Sequence, residues 1–240
     1  MTRPSASPAI HLVERHLRLD EALRRAVAGG RSHPGERPGA APYVALSRQY
    51  GADGSAVGAR VAELLGWTLY DRELLEEIAH DAHLQSRLLE RFDERQRGDL
   101  EVWVTGLMSV DAVSEQDYTR ALLRVLASLG RLGRAVIIGR GAHRVLPAEQ
   151  GLRVRIMAPL DDRVAAVRRA EGLGEALART KIDKIDRARE GWLRATFRDH
   201  LSTEDDLFDL ELNSASLGPE TCAELVVAAL RAKCPAAARG

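Results

Sequence analysis

Apolar residues return at helical spacing near the start of the chain, at Leu12, Leu19, Leu23 and Val27, with Gly29 and Gly30 placed to stop the run. The pattern predicts an amphipathic helix lying outside the main body. Between Arg31 and Pro42 the prolines Pro34, Pro38 and Pro42 alternate with glycine and polar residues, the pattern of a linker. A boundary near residue 41 follows: 1–41 as helix and linker, 42–233 as one domain, 234–240 as a tail.

Beyond the linker, strand and helix patterns alternate. Tyr43 to Leu46 predicts a short strand, Gly51 to Gly54 a turn, and Val57, Val61, Leu64 and Leu65 a helix face that Gly66 ends. Trp67 to Tyr70 predicts a second strand, with Asp71 capping a helix that carries Leu74, Leu75, Ile78 and Ala79 inward. Residues 84–112 read as helical but irregular. Ser114 and Asp117 resemble a capping box ahead of Leu122, Val125, Leu126 and Leu129, with Gly130 or Gly133 ending that helix. Ala135 to Ile138 is the strongest strand, an unbroken apolar run suited to a parallel sheet covered on both faces, and it stops at Gly139-Arg140-Gly141. Leu152 to Ala158 predicts another strand, Asp161 or Asp162 the start of a helix, and Lys181 to Arg194 a cation-rich helix. Leu207 to Leu212 is the last strand, and Pro219 opens the closing helix through Leu225, Val226, Ala229 and Leu230. The expected fold is α/β: a three-layer parallel sheet with helices on both faces.

Composition narrows the function. The 240 residues carry 35 Lys plus Arg and 35 Asp plus Glu, so no net field favours nucleic acid or an anionic membrane, and phosphate affinity has to be local. Neither nucleic acid nor membrane is expected as a partner. Cys222 and Cys234 lack metal-ligand spacing and suit a reducing cytoplasm, and no apolar run approaches the roughly 20 residues that span a bilayer.

The turn after the first core strand, Ser47-Arg48-Gln49-Tyr50-Gly51-Ala52-Asp53-Gly54-Ser55-Ala56, sits where a phosphate loop would sit. Backbone N–H groups of Gly51 to Ala56 at a helix start can cradle a phosphate, aided by the helix dipole. The G-x-x-x-x-G-K-[ST] pattern is absent: Gly54 stands where lysine is expected and Ala56 where a metal-binding hydroxyl is expected. Arg48 is the nearest fixed cation to replace the lysine; the alternative pairs it with Asp53 or Asp71. Ser55 is the candidate magnesium ligand, with a simple helix cap as the alternative. Arg140, leaving the most buried strand at the sheet's C-terminal edge, is a candidate phosphate contact, because a guanidinium fork matches phosphate oxygens. Arg187 and Arg189 lie two apart, so a regular helix aims only one of them at a ligand.

Ser47-Arg48-Gln49-Tyr50-Gly51, Tyr70-Asp71-Arg72-Glu73-Leu74-Leu75, Ile137-Ile138-Gly139-Arg140-Gly141, Asp183 to Arg189 and Asp209-Leu210-Glu211-Leu212-Asn213 together resemble the cytidylate kinase-like family, in order, along about residues 43–231. The resemblance implies a nucleoside monophosphate kinase fold of the P-loop type with a helical lid, using ATP and Mg2+. It implies that Asp71, Arg140 and Arg163 serve the monophosphate, that the lid arginines Arg187 and Arg189 serve catalysis beside the Arg48 read from the turn itself, and that CMP or dCMP is the acceptor. Gly141 replaces an aspartate of the true cytidylate kinases.

Other candidates carry less. His80 and His83 are spaced to share a helix face but bring no third ligand, so solvent-facing imidazoles are the expectation over zinc. Trp67, Trp103 and Trp192 are expected in core or lid packing, and Arg87 to Arg97 as an exposed charged face. Two further functions stand beside the kinase: a catalytically weak nucleotide-binding regulatory module, suggested by Gly54, Ala56 and Gly141, and a kinase of another small molecule. The N-terminal helix is expected to fold back on its own domain, leaving a monomer, with homodimerisation through that helix as the alternative.

Overall fold

The computed structural model describes residues 7–29, 41–107, 116–197 and 208–235. Side chains along β1 (Tyr43–Arg48) alternate between two packed layers, as strand geometry requires. Tyr43 and Ala45 join one hydrophobic cluster, Val44 and Leu46 the other. In β3 (Ala135–Ile138), Ala135 and Ile137 follow the first pair and Val136 and Ile138 the second. A strand buried on both faces needs apolar residues at every position, which is why this run was the clearest in the sequence.

With β2 (Thr68–Tyr70), β4 (Gly151–Met157) and β5 (Leu210–Asn213), these strands form one parallel sheet in the order β2-β3-β1-β4-β5. One face carries α2 (Gly54–Leu65) and α10 (Ser214–Lys233). The other carries α1 (Pro8–Gly29), α3 (Arg72–His80), α4 (Ala82–Leu89), α5 (Glu94–Leu107), α6 (Gln116–Leu132) and α7 (Ala142–Val145). Leu122, Leu126 and Leu129 of α6, one apolar stripe at helical spacing, are fully buried. Beyond β4, α8 (Leu160–Glu171) and α9 (Glu175–Thr196) make a smaller cluster of their own through Val164, Val167, Ala178 and Ile182.

Some boundaries moved. The closing helix begins at Ser214, capped by the Asn213 side chain, and breaks at Gly218, where φ is 76°; Pro219 then opens the longer run, as expected. Helix α1 does not lie outside the main body. It buries Ala9, Val13 and Leu17 in the same cluster as β1 and α6, while the expected stripe residue Leu19 stays 37% exposed. The stripe was misread because two polar residues, His16 and Asp20, are on the buried face. His16 is held between the Tyr70 hydroxyl (2.8 Å) and the Gly133 carbonyl (2.8 Å). Ser114, the expected linker, the start of the last strand at Leu207 and most of the tail fall outside the described residues. No helix among the described residues is long and apolar enough to cross a membrane.

Candidate anion-binding and active site

Helix α2 leaves β1 toward one face of the sheet and α7 leaves the adjacent β3 toward the other. A crevice must open between two neighbouring strands whose connections diverge, at their C-terminal ends. Arg48 closes β1 on one side of it and Arg140 follows β3 on the other. Helix α9 lies across the opening and contributes Asp186, Arg189, Glu190 and Trp192 to its wall.

The crevice, partly open to solvent, measures about 540 Å³. Among the described residues its walls hold six arginines, Arg48, Arg72, Arg140, Arg144, Arg155 and Arg189, and two carboxylates, Asp186 and Glu190, while Glu76 and Glu211 pair with three of the arginines from outside the wall. A neutral chain has thus concentrated positive charge in one place. Burial lowers the affinity of the Arg48 guanidinium for its proton to about 10, with Arg189 adding like-charge repulsion. Burial also lowers Arg189, and burial with neighbouring Arg72 lowers Arg140. Burial is the main cause at all three, only partly offset by the Glu73 carboxylate and, at Arg189, by Asp186, so an anion entering the crevice would favour their charged forms. His143, beneath them and stacked on Phe208 (4.8 Å), is pushed down to about 3 by burial and by the Arg144, Arg153 and Arg155 charges, and is neutral at pH 7.

Arg48 reaches the cavity along an unusual path. Its stem lies over the start of α2, so close that a Cβ on Gly54 would stand 2.5 Å from the Arg48 Cβ, and its Nη1 lies against Gly139. The Arg48 stem therefore occupies the volume that a lysine at position 54 would need. Residues Gly51 to Ala56 do not line the cavity; they open on the other side of Arg48. Their turn is built as expected, with left-handed Gly51 (φ 81°) and Asp53 (φ 51°), a bond from Ala52 N–H to the Gln49 carbonyl (3.3 Å), and Ser214 Oγ donating to the Ala52 carbonyl (2.8 Å). Asp53 and Ser55 are exposed, and the Asp53 carboxylate makes no capping bond. The first turn of α2 offers N–H groups without intrahelical partners.

Helix α9 is pinned onto this turn. The Asp186 carboxylate accepts from Tyr50 N–H (3.1 Å) and pairs with Arg163 (2.6 Å), Arg189 donates to the Arg48 carbonyl (3.1 Å), and Tyr50 Oη donates to Glu171 (2.5 Å). Arg163, expected beside a monophosphate, does not line this cavity. It is 8% exposed, committed to Asp186 and the Tyr50 carbonyl, and outside the cavity wall. Asp71 is not there either: its carboxylate caps α3 by accepting from Leu74 N–H (2.9 Å), and it borders a separate groove against α1. Arg187 points to solvent, its side chain 78% exposed and paired with Asp183, whereas Arg189 lines the cavity, so one of this pair faces inward. Arg140 does line the cavity, paired with Glu76 and lying over the Trp192 ring at 5.2 Å.

Gly141, where an aspartate stood in the family pattern, has φ 70° and leaves only 2.5 Å between a would-be Cβ and the Phe197 ring. An aspartate cannot enter without displacing Phe197. Sequence reasoning missed Arg72, Arg144 and Arg155 at the cavity. Only the alternation of β4, which puts Leu152, Val154 and Ile156 on one face, carried a signal that Arg155 faces the other. His80 and His83 are exposed, and no group of three potential metal ligands exists among the described residues.

Comparisons agree with this architecture. A family model described as the cytidylate kinase-like family matches residues 43–216. A curated protein named uronate isomerase, from Corynebacterium glutamicum, is 26% identical over 198 residues; the match covers 80% of this chain, but the chain spans only 36% of that relative's length. A solved structure of an uncharacterized protein from Eubacterium ventriosum superposes with a TM-score of 0.60 at 21% identity, covering 78% of this chain and 96% of the other, and shares the fold. The shikimate kinase of Acinetobacter baumannii, solved with shikimate, gives a TM-score of 0.42 at 15% identity over 79% of this chain and 92% of its own.

Proposed function

The chain belongs to the cytidylate kinase-like family, and from that premise we propose that it transfers the γ-phosphoryl group of ATP to a nucleoside monophosphate, CMP or dCMP by family likeness. The carrying observation is the convergence of Arg48, Arg140 and Arg189 on one cavity at the switch point of the sheet. An acceptor phosphate held there attacks the γ-phosphorus, the bond to the bridging oxygen breaks, and ADP leaves with the electron pair. Arginines suit this step because the charge spreads over the transferred oxygens, and fixed forks stabilise it without reorganising. Arg48, between the start of α2 and the cavity, is the cation that both phosphates meet.

The donor triphosphate lies at the first turn of α2, whose N–H groups lack intrahelical partners and where Ser55 and Ala56 are exposed. The Asp53 carboxylate would repel it there, and a divalent cation removes that repulsion. Asp53 and the Ser55 hydroxyl, both exposed oxygen donors, are the residues that would hold a magnesium ion here, and it would supply charge neutralisation. The chain's own residues supply orientation and exclusion of water under α9. A cytoplasmic setting and a monomer whose α1 packs in cis belong to the same proposal.

One observation favours the regulatory alternative: Asp186 occupies the Tyr50 N–H, a group that a phosphate would otherwise use. The deciding experiment is a product assay with ATP and Mg2+ against a panel of nucleoside monophosphates. Formation of ADP and a nucleoside diphosphate with one of them supports the kinase; nucleotide-dependent thermal stabilisation with no diphosphate product from any of them replaces it with the binding module.

A further inference from the structure

The cavity is larger and more cationic than one phosphate group requires. Arg48, Arg140 and Arg189 gather about the ends of β1 and β3, where Arg189 donates to the Arg48 carbonyl and Arg48 Nη1 lies against Gly139, whereas Arg144 of α7 and Arg155 of β4 stand around the His143–Phe208 stack. Arg155 pairs in register with Ser47 of β1, so its strand lies two places from β3, a span of roughly 10 Å at the usual spacing between strands. Arg140 and Arg155 therefore start from non-adjacent strands, with β1 between them.

Among the described residues the second arginine pair has few protein partners. Arg144 makes no ion pair among the described residues, and its Nε is buried without a partner. Arg155 reaches Glu211 only at 3.5 Å and lies over the Phe208 ring at 5.6 Å. The neutral His143 ring beside them adds no negative charge.

Resting on the reading that Arg48, Arg140 and Arg189 hold the acceptor's reactive phosphate, we propose that Arg144 and Arg155 form a second anionic subsite, and that the preferred acceptor carries two separated phosphates on one small-molecule scaffold. The guanidinium of Arg144 binds the second phosphate directly, and Arg155, steadied on Phe208, closes over it.

Calorimetry on the full chain tests this with CMP, cytidine 3′,5′-bisphosphate, and CMP plus inorganic phosphate. The bisphosphate is expected to bind about tenfold or more tightly than CMP, the worth of an added charge-assisted contact. Arg144→Gln is expected to erase that preference while leaving CMP affinity within about twofold, and Arg144→Lys to retain part of it. Equal affinity of the wild-type protein for CMP and the bisphosphate overturns the proposal, with no variant needed. So does binding of inorganic phosphate beside CMP that matches the bisphosphate, since the two groups then need not share a molecule. A bisphosphate preference in a protein that forms no ADP with any acceptor upholds the subsite and removes only the catalytic reading.

Discussion

At the scale of single residues, the exchange of lysine for glycine at position 54 and the presence of arginine at position 48 are one event, because both side chains claim the same volume. Gly54→Lys alone is therefore expected to fold poorly or displace Arg48, with turnover lowered on the order of a hundredfold or more. Arg48→Ala is expected to lose a similar factor by removing the central cation. The double change Arg48→Gly, Gly54→Lys restores space and charge together, and steady-state kinetics should show it more active than either single variant. Additive losses would place Arg48 outside the phosphate path. His143 gives a second residue-scale expectation. Its folded-state pKa of about 3 lies below the ordinary 6.5, so between those values the unfolded chain binds the extra proton. Stability is then fully present above pH 6.5 and falls as the pH drops toward 3, by up to about 1.4 kcal/mol per pH unit. Urea unfolding at pH 5 and 7 should show this loss in the wild-type chain and a smaller one in His143→Asn.

At the scale of elements, α9 is held against the β1–α2 turn chiefly through Asp186, which accepts from Tyr50 N–H and pairs with Arg163. Asp186→Ala leaves Arg163, 8% exposed, without its carboxylate, and frees Tyr50 N–H. The expected cost is about 2 kcal/mol, below that of a fully buried pair because the Asp186 side chain keeps 31% of its surface in water. Denaturant titration reads the cost, and nucleotide affinity should rise if the carboxylate competes with phosphate for the turn. Elements were also where the sequence spoke most clearly. The turn after β1, the unbroken apolar run of β3 and the Asp71 cap follow from local rules that each segment obeys alone. The stripe of α1 did not, since His16 is buried only because Tyr70 and Gly133, both distant in sequence, meet it there. The arginines divide for the same reason. Arg140 was legible from its place at a strand end, but whether Arg163, Arg187 or Arg155 serves a ligand depends on which carboxylates fold beside them.

At the scale of the whole molecule, equal numbers of acidic and basic residues coexist with a cavity whose described walls hold six arginines and two carboxylates. Distant charges cancel, so the field that attracts an anion is confined to the crevice and its neighbourhood within a Debye length. Confinement also stores repulsion in the folded state, since cations that unfolding would separate are held together. An anion that binds there acts on the entire folding equilibrium. Inorganic phosphate at ten times its dissociation constant should add about 1.4 kcal/mol, equivalent to a rise in Tm of roughly 4 °C for a chain of this size. General screening of the arginines would also raise Tm, but sodium chloride at matched ionic strength would then do the same. A specific site requires phosphate to exceed chloride, and requires Arg140→Ala to abolish the excess while the chloride response persists. Identical shifts from the two salts would mean that the arginines form a diffuse positive surface with no geometry for a phosphate, and the acceptor site would have to lie elsewhere on the sheet edge.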